Sequence, residues 1–188
     1  MAVPVLRHAH ESEVSIRWAG FRCALLACRT ATPIFCQTEK DTEPATSKER
    51  ELKACGTKDK EVNYVADTDK KSHPTGEAAA DKALIYVLRT SMMGNKIQTK
   101  LAVDGEWKGV NRGHNYFFFT LPPGMHYFCD QAENRSVLVL TVEAGKTYYL
   151  EQEIRMGVMK ARTQLSVMDD AEGQKQLPSM HPSTWEAK

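Results

Sequence analysis

The sequence predicts an antiparallel immunoglobulin-like β-sandwich of seven or eight strands over residues 82–177. Short runs of β-forming residues recur along this stretch, and turn signals separate them roughly every 8–12 residues. Strands do not alternate with helices there, as they would in a parallel α/β sheet. A short C-terminal helix over residues 169–177, capped by an aspartate, and a disordered N-terminal region complete the predicted fold class.

The individual strands follow from two hydrophobic patterns. Residues 83–88 are continuously apolar, which predicts a strand buried on both faces. Residues 97–103 and 148–155 alternate between apolar and polar side chains, which predicts strands with one face in water. Between strands, Asp104-Gly105 predicts a tight hairpin turn because glycine accepts a positive φ.

Two aromatic-rich runs, residues 116–121 and 125–130, flank Pro122-Pro123-Gly124. This arrangement predicts a hairpin at the centre of the domain, with His126 opposite about Thr120.

Strand alternation sends two of the four rings in residues 116–119 to each face of this hairpin. One pair then belongs to the core. The other pair is either covered by the linker, the C-terminal helix or Trp185, or it contributes to an exposed contact patch. The predicted patch consists of Trp107, Tyr116, Phe118 and Tyr149.

The regions that flank the domain are polar. Residues 38–81 are rich in Lys, Glu, Asp, Thr and Ser, which predicts a linker that is partly ordered near Cys55. Within the linker, residues 46–53 predict a short helix that Gly56 ends. Residues 178–188 are predicted to be a C-terminal tail.

Residues 1–37 predict a signal or anchor segment. Arg17 and Arg22 precede the apolar run 23–28, and small residues follow, which is the order of a secretory signal. The apolar run is far shorter than the ~20 residues that span a bilayer. Three alternatives remain: a cleaved leader, a leader lipidated at Cys28, and a disordered cytoplasmic tail or a start codon assigned too early. The first two predict an exported protein in the periplasm, in the outer envelope or outside the cell.

Cysteine usage adds a second prediction. The chain has five cysteines and no Cys-x-x-Cys pair, so the minimum signature of a zinc ribbon or a thioredoxin is missing. If Cys23, Cys28 and Cys36 belong to the leader, Cys55 and Cys129 remain. Two cysteines in an exported domain most simply form a disulfide, and two buried thiols are the alternative.

The remaining patterns argue against catalysis, metal binding and nucleic-acid binding. A net charge of +1 with interspersed signs offers no field that would attract DNA or RNA. Gly-x-Ser-x-Gly, phosphate-loop and His-Glu-x-x-His motifs do not occur. His126 and Cys129 lie three apart on a strand, so they point to opposite faces and form no catalytic pair. We therefore predict no enzymatic activity, no metal and no cofactor.

Several short motifs together resemble the domain of unknown function 2846 family, bacterial envelope-associated β-sandwich proteins of the PEGA-like kind, over about residues 82–177. The motifs are Val103-Asp104-Gly105, Trp107-Lys108-Gly109, Gly113-x-x-Tyr116-Phe117, Leu121-Pro122-Pro123-Gly124-x-His126, the run 142–150 and Met156-Gly157.

The resemblance implies an exported protein and supplies no catalytic residues to carry over. The predicted function is a structural or interaction role at the bacterial cell envelope. The alternative is a module that binds a glycan or small ligand through the aromatic face. Envelope proteins and glycans are the predicted partners, with membrane contact only through a retained N-terminal anchor, and the oligomeric state stays open.

Overall fold

The structure is a computed structural model that describes residues 46–58, 61, 63–156 and 161–187. The predicted signal or anchor segment, residues 1–37, and the lipidation predicted at Cys28 lie outside these residues.

Within the described residues, the chain forms ten β-strands and two α-helices, and a 3₁₀ turn at Leu177–Ser179 follows the second helix. In chain order they are α1 Ser47–Cys55, β1 Tyr64–Thr68, β2 Ala83–Leu88, β3 Thr99–Val103, β4 Glu106–Asn111, β5 Asn115–Leu121, β6 Gly124–Gln131, β7 Arg135–Val142, β8 Thr147–Met156, β9 Ala161–Met168, α2 Asp170–Gln176 and β10 His181–Ala187.

The strands form two sheets that pack face to face, which confirms the predicted β-sandwich. One sheet has the order β1-β10-β5-β2-β8-β9 and the other the order β4-β3-β6-β7. Their inner faces share one apolar core, which includes Ile85, Leu101, Phe117, Phe128 and Leu150. Two pairings, β2 with β8 and β10 with β5, are parallel, so the sheets are not purely antiparallel as predicted. Both pairs join strands that are distant in sequence, where no tight turn imposes an antiparallel arrangement.

β2 lies inside the six-stranded sheet and is buried on both faces, as its continuous apolar run predicts. All six of its residues are at most 3% exposed. One face contributes to the core between the sheets, and the other lies in a second cluster that contains several aromatic rings.

The predicted central hairpin is wrong. β5 pairs with β2 and β10, whereas β6 pairs with β3 and β7 in the other sheet. The Pro122-Pro123 segment carries the chain from one sheet to the other. The two prolines have no N–H to extend a ladder, and both edges of β5 already have partners. His126 therefore lies opposite Leu140 rather than Thr120.

The predicted boundaries of the domain are too narrow at both ends. β10, in the predicted tail, pairs with β1, in the predicted linker, from Tyr64↔Ala187 to Thr68↔Ser183. This ribbon joins β5 through only two residue pairs. Beyond them it contacts β4 of the opposite sheet, where the Ser183 hydroxyl donates to the Val110 carbonyl at 2.6 Å. The two ends of the domain thus close one side of the sandwich.

Both predicted helices are present. In α1 the Thr46 hydroxyl accepts from the Glu49 amide at 3.2 Å, while the Glu49 carboxylate accepts from the Thr46 amide at 3.1 Å. This reciprocal capping box begins the helix. In α2 the carboxylate of Asp169 accepts from the Ala171 amide at 2.9 Å. Neither helix in the described part of the chain is long and apolar enough to cross a membrane.

Candidate functional site

The predicted aromatic contact patch is covered. Tyr116 is 0% exposed and Tyr149 6% exposed, and both pack with Tyr86 and Phe118 on the outer face of the six-stranded sheet. α2 presses so closely on this face that a Cβ on Gly173 would collide with the Tyr149 ring. The segment before β2 covers the rest of this face.

That segment is held by the tyrosine hydroxyls. Tyr116 Oη donates to the Pro74 carbonyl at 2.8 Å, and Tyr86 Oη accepts from the Gly76 amide at 2.8 Å. Buried tyrosines need such partners for their hydroxyls, so the cluster organises the covering segment. The segment before β2, which is part of the predicted linker, and helix α2 together cover this aromatic face. The sequence analysis gave such a cover as the alternative to an exposed contact patch.

Trp107 lies apart from the other three patch residues, on the outer face of the four-stranded sheet. It packs there beside Cys55, Tyr127 and Cys129, beneath α1. The four residues therefore do not form one surface, and the prediction of a joint contact patch is corrected. Trp107 lies on β4 of the four-stranded sheet, whereas Tyr116 lies on β5 of the six-stranded sheet.

Cys55 and Cys129 are joined by a disulfide, with an S–S distance of 2.06 Å and a Cα–Cα distance of 5.0 Å. The bond connects the end of α1 to β6 and is buried, since both residues are at most 1% exposed. Around it, Lys53 Nζ lies 4.2 Å from the centre of the Tyr127 ring, a cation–π contact. The Gly105 amide donates to the Ala54 carbonyl at 3.1 Å. α1 is thereby fastened to the β3–β4 turn and to β6.

His126 connects two of the motifs that carried the family resemblance. Its Nδ1 lies 2.6 Å from the Asp104 carboxylate, and its Nε2 lies 2.9 Å from the Pro122 carbonyl. The other carboxylate oxygen of Asp104 accepts from the Tyr127 amide at 2.9 Å. Asp104 adopts a φ of 51° in the β3–β4 turn. Because both ring nitrogens of His126 face acceptors, the residue ties the turn to the crossing between sheets and has no free nitrogen for catalysis.

A buried polar network, which was not predicted from the sequence, lies between the sheets at one end of the sandwich. Six strands or strand ends each contribute one polar side chain that is at most 3% exposed. These side chains are Arg89, Thr99, Asn111, Asp130, Gln152 and Thr163.

The network runs from sheet to sheet through side-chain hydrogen bonds. Gln152 Nε2 donates to Asp130 Oδ1 at 2.7 Å, and Asn111 Nδ2 donates to Gln152 Oε1 at 2.9 Å. The Thr163 hydroxyl donates to Asp130 Oδ2. These bonds satisfy most of the buried polar atoms, which otherwise would destabilise the core.

The buried side chain of Arg89 holds the loop between β2 and β3 through hydrogen bonds. Its guanidinium donates to the backbone carbonyls of Ile97, of Gly94 at 2.6 Å and of Met93 at 3.3 Å. Gly94 has a φ of 60° and faces Ile97, so the loop turns tightly over the buried guanidinium. The loop tip exposes Met92 and Met93.

Burial shifts the pKa values of Asp130 and Arg89, the two ionisable members of the network. Loss of hydration raises the pKa of Asp130 to about 6, although the hydrogen bonds from Thr163 and Gln152 and the charge of Arg89 act in the opposite direction. Loss of hydration also lowers the pKa of Arg89 to about 10, against the attraction of Asp130. Arg89 therefore stays charged at neutral pH, whereas Asp130 loses its proton as the pH rises through about 6. Because both Asp130 oxygens already accept hydrogen bonds, the carboxylate is a structural group in this arrangement.

The raised pKa of Asp130 predicts a specific dependence of stability on pH. Since the folded pKa is about 6 and the model value is 3.8, the folded chain binds the proton more tightly. The contribution of Asp130 to stability is then largest below pH 4 and falls as the pH rises through 6. Relative to Asp130→Asn, the wild type should lose about 2 kcal/mol of unfolding free energy between pH 4 and pH 7.5. Denaturant titrations at each pH measure this difference.

Glu172→Gln is a suitable control for this prediction. Hydrogen bonds from Gln176 and Lys175 lower the pKa of this exposed carboxylate, so its effect should be small and of opposite sign. A difference between wild type and Asp130→Asn that stays constant across the pH range would contradict the buried, ionised Asp130.

His114 lies beside a surface cleft, but its ring nitrogens are held by the backbone. A surface cleft of about 420 Å³ is lined by residues that include Lys70, Met92, Arg112 and His114. Both ring nitrogens of His114 face backbone carbonyls, at 3.3 and 2.8 Å, and Arg112 donates to the Ala66 carbonyl at 3.3 Å. Among the described residues, no three His, Cys, Asp or Glu side chains come together as a metal-binding group.

The region that carries the sequence motifs is similar to a known protein family. Residues 79–164 match the family described as Protein of unknown function (DUF2846). The predicted family resemblance is confirmed over this stretch. The DUF2846 region contains β2 to β8 and the first part of β9, together with Cys129 and the Asp104–His126 connection. α1 with Cys55, strand β1, helix α2 and strand β10 lie outside it.

A protein of Haemophilus influenzae, described as an uncharacterized protein, is 26% identical to this chain over 98 residues. The alignment covers 52% of this chain and 58% of the relative, so the chain spans somewhat over half of the relative's length. No solved structure matches the chain.

Proposed function

We propose that this protein is an exported bacterial protein with a non-enzymatic structural or interaction role at the cell envelope. The observation that carries the proposal is the buried disulfide between Cys55 and Cys129. Disulfides form and persist in exported proteins and are rare in the reducing cytosol. The apolar surroundings of this bond, with Ala54, Ala102 and Tyr127 packed around it, fit a structural disulfide rather than an exposed catalytic one.

The polar chemistry of the described residues supports a non-enzymatic role. The groups that resemble catalytic residues, above all His126 and Asp130, use their polar atoms for hydrogen bonds inside the fold. Cys129, the one cysteine near a histidine in sequence, is part of the disulfide. Nucleophilic catalysis needs a nucleophile and a base that face a shared cleft, and these residues do not supply such a pair.

The two edges of the six-stranded sheet support a structural role for this sheet. On edge strand β1, the Ala66 amide donates to the Gln98 side chain at 3.2 Å and the Ala66 carbonyl accepts from Arg112 at 3.3 Å. On edge strand β9, Asn134 bonds both the amide and the carbonyl of Thr163, at 2.6 and 3.0 Å. Side chains thus satisfy edge groups that would otherwise pair with another strand. The alternative of glycan or ligand binding through the aromatic face loses its support, because that face is covered.

Localisation with simultaneous thiol trapping tests the proposal. The full chain is expressed with its own N-terminus in a bacterial host, free thiols are alkylated before lysis, and cell fractions are mapped by non-reducing mass spectrometry. We expect a linked peptide pair containing Cys55 and Cys129 in the exported fraction. An intact N-terminus in the cytoplasm, with both thiols alkylated, would overturn the proposal.

The mode of attachment is a separate question, which Cys28→Ser addresses. If Cys28 is lipidated, metabolic labelling with a fatty acid should mark the wild type and not the variant, and the variant should leave the membrane fraction. A cleaved leader instead gives an unlabelled protein with the same shortened N-terminus in both.

A further inference from the structure

Three polar atoms of the buried network have no hydrogen-bond partner among the described residues. They are Arg89 Nε, Thr99 Oγ1 and Asn111 Oδ1, and all three residues are 0% exposed. An unpaired buried polar atom costs about 1–3 kcal/mol, so three in one place require an explanation.

The three side chains are neighbours in the fold. Thr99 on β3 and Asn111 on β4 are direct cross-strand partners, and both point into the sandwich. Side chains in that relation lie about 5 Å apart at Cβ. Arg89 donates to the carbonyl of Ile97, two residues before Thr99. Asn111 Nδ2 donates in turn to the carbonyl of Val87 at 3.1 Å, two residues before Arg89.

We propose that Arg89 Nε, Thr99 Oγ1 and Asn111 Oδ1 form a binding site for at least one internal water molecule. Their chemistry selects water over an ion. The Arg89 Nε–H only donates, Asn111 Oδ1 only accepts, and the Thr99 hydroxyl does either. Water accepts from the first and donates to the second. An anion has no proton for Asn111 Oδ1, and a cation is repelled by the guanidinium.

The water joins Arg89 to the four-stranded sheet. Arg89 follows β2 of the six-stranded sheet, whereas Thr99 and Asn111 lie on β3 and β4 of the other sheet. Ordered water bonds almost as well as a protein group. Buried waters of this type typically make about three hydrogen bonds, the number of unpaired atoms at this site. The water therefore connects the loop that Arg89 holds to two strands of the four-stranded sheet.

Thr99→Val tests the proposal through the sign of its effect, because valine has the shape of threonine without the hydroxyl. If the hydroxyl binds water, the variant loses a hydrogen bond, and Tm should fall by roughly 3 °C. If the hydroxyl is unpaired, valine removes a buried unsatisfied group and Tm should rise, which would overturn the proposal. Thr163→Val is the matched control, since that hydroxyl has a protein partner in Asp130 and its loss lowers Tm in either case.

A crystal structure of the wild-type protein provides a test that does not depend on folding of the variant. We expect an electron-density peak within hydrogen-bond distance of all three atoms. Side chains that instead bond to one another, or a peak replaced by bromide after a soak, would show that the site does not bind water.

Discussion

Removing the disulfide with the double variant Cys55→Ala/Cys129→Ala is expected to destabilise the protein by about 4 kcal/mol. The two cysteines are 74 residues apart, and a cross-link over a loop of that length removes much of the conformational freedom of the unfolded chain. The loss is comparable to a large part of the total stability of an ordinary domain. Urea titration of wild type and variant, in the absence of reductant, measures it.

The structure also predicts which part opens first. α1 has nine residues, too few to be stable without its contacts. Without the disulfide it keeps the contact of Lys53 with Tyr127 and an ion pair between Glu51 and Arg135 at 3.1 Å. It also keeps the buried Ala54, whose carbonyl accepts from the Gly105 amide at 3.1 Å. The ion pair is partly exposed and contributes little, and one hydrogen bond adds only about 1 kcal/mol. We therefore expect faster proteolysis at residues 46–58 before the sandwich itself unfolds.

Addition of reductant is the control for this prediction. It should destabilise the wild type toward the variant and leave the double variant unchanged. A difference between wild type and variant below about 1 kcal/mol would show that the cross-link has no large effect on the unfolded chain.

Local sequence rules predicted the elements that depend on neighbouring residues alone. The short helix that Gly56 ends, the continuous apolar run of β2 and the Asp104-Gly105 turn all formed where expected. At the turn, both residues have positive φ, 51° and 82°, as a two-residue hairpin loop requires. Each of these features is set within a few residues, so a single sequence is sufficient to find it.

Pairing between distant strands was not predictable in the same way. Pro122-Pro123-Gly124 has the composition of a hairpin turn, but the choice between a hairpin and a crossing to the other sheet depends on which strands occupy the edges of β5. One of those strands is β10, whose sequence contains Pro182 and alternates only weakly. The tail assignment and the hairpin assignment therefore failed together.

The buried polar network left a signal in the sequence. Gln152 occupies the register of Leu150 and Ile154, which are both buried in β8. Asp130 likewise continues the register of Phe128 on β6, and Arg89 that of Val87 on β2. A polar side chain in a buried register predicts a polar partner across the core. Without the pairing of the sheets, the sequence does not show which polar residues meet.

Arg89→Met is expected to destabilise the protein by about 4 kcal/mol, because a buried guanidinium is difficult to replace. Methionine fills much of the volume of the side-chain stem but donates no hydrogen bond to the carbonyls of Met93, Gly94 and Ile97. Hydrogen bonds from a charged donor contribute about 1.5–3 kcal/mol each, and the carbonyls would lose them inside the protein. Urea titration measures the loss, and amide hydrogen exchange at Ile97 should accelerate as the loop opens.

The same variant should show a pH dependence that a simple packing defect would not. The charge of Arg89 lowers the pKa of Asp130, against the larger effect of burial. Without Arg89 the pKa of Asp130 rises further, so the ionised carboxylate destabilises the variant more than the wild type. The loss of unfolding free energy should thus be greater at pH 8 than at pH 5, where Asp130 binds a proton.

Arg112→Met provides the matched control for Arg89→Met. Arg112 also donates to a backbone carbonyl, that of Ala66 at 3.3 Å, but its side chain is 34% exposed. Water replaces the lost donor there, so a loss of no more than about 1 kcal/mol is expected, with little dependence on pH. Equal losses for the two variants would contradict the central position of Arg89, because they would mean that its burial and its three carbonyl partners add nothing to the fold. A loss confined to Arg89→Met that grows with pH instead identifies the Arg89–Asp130 network as the polar centre on which the loop and both sheets depend.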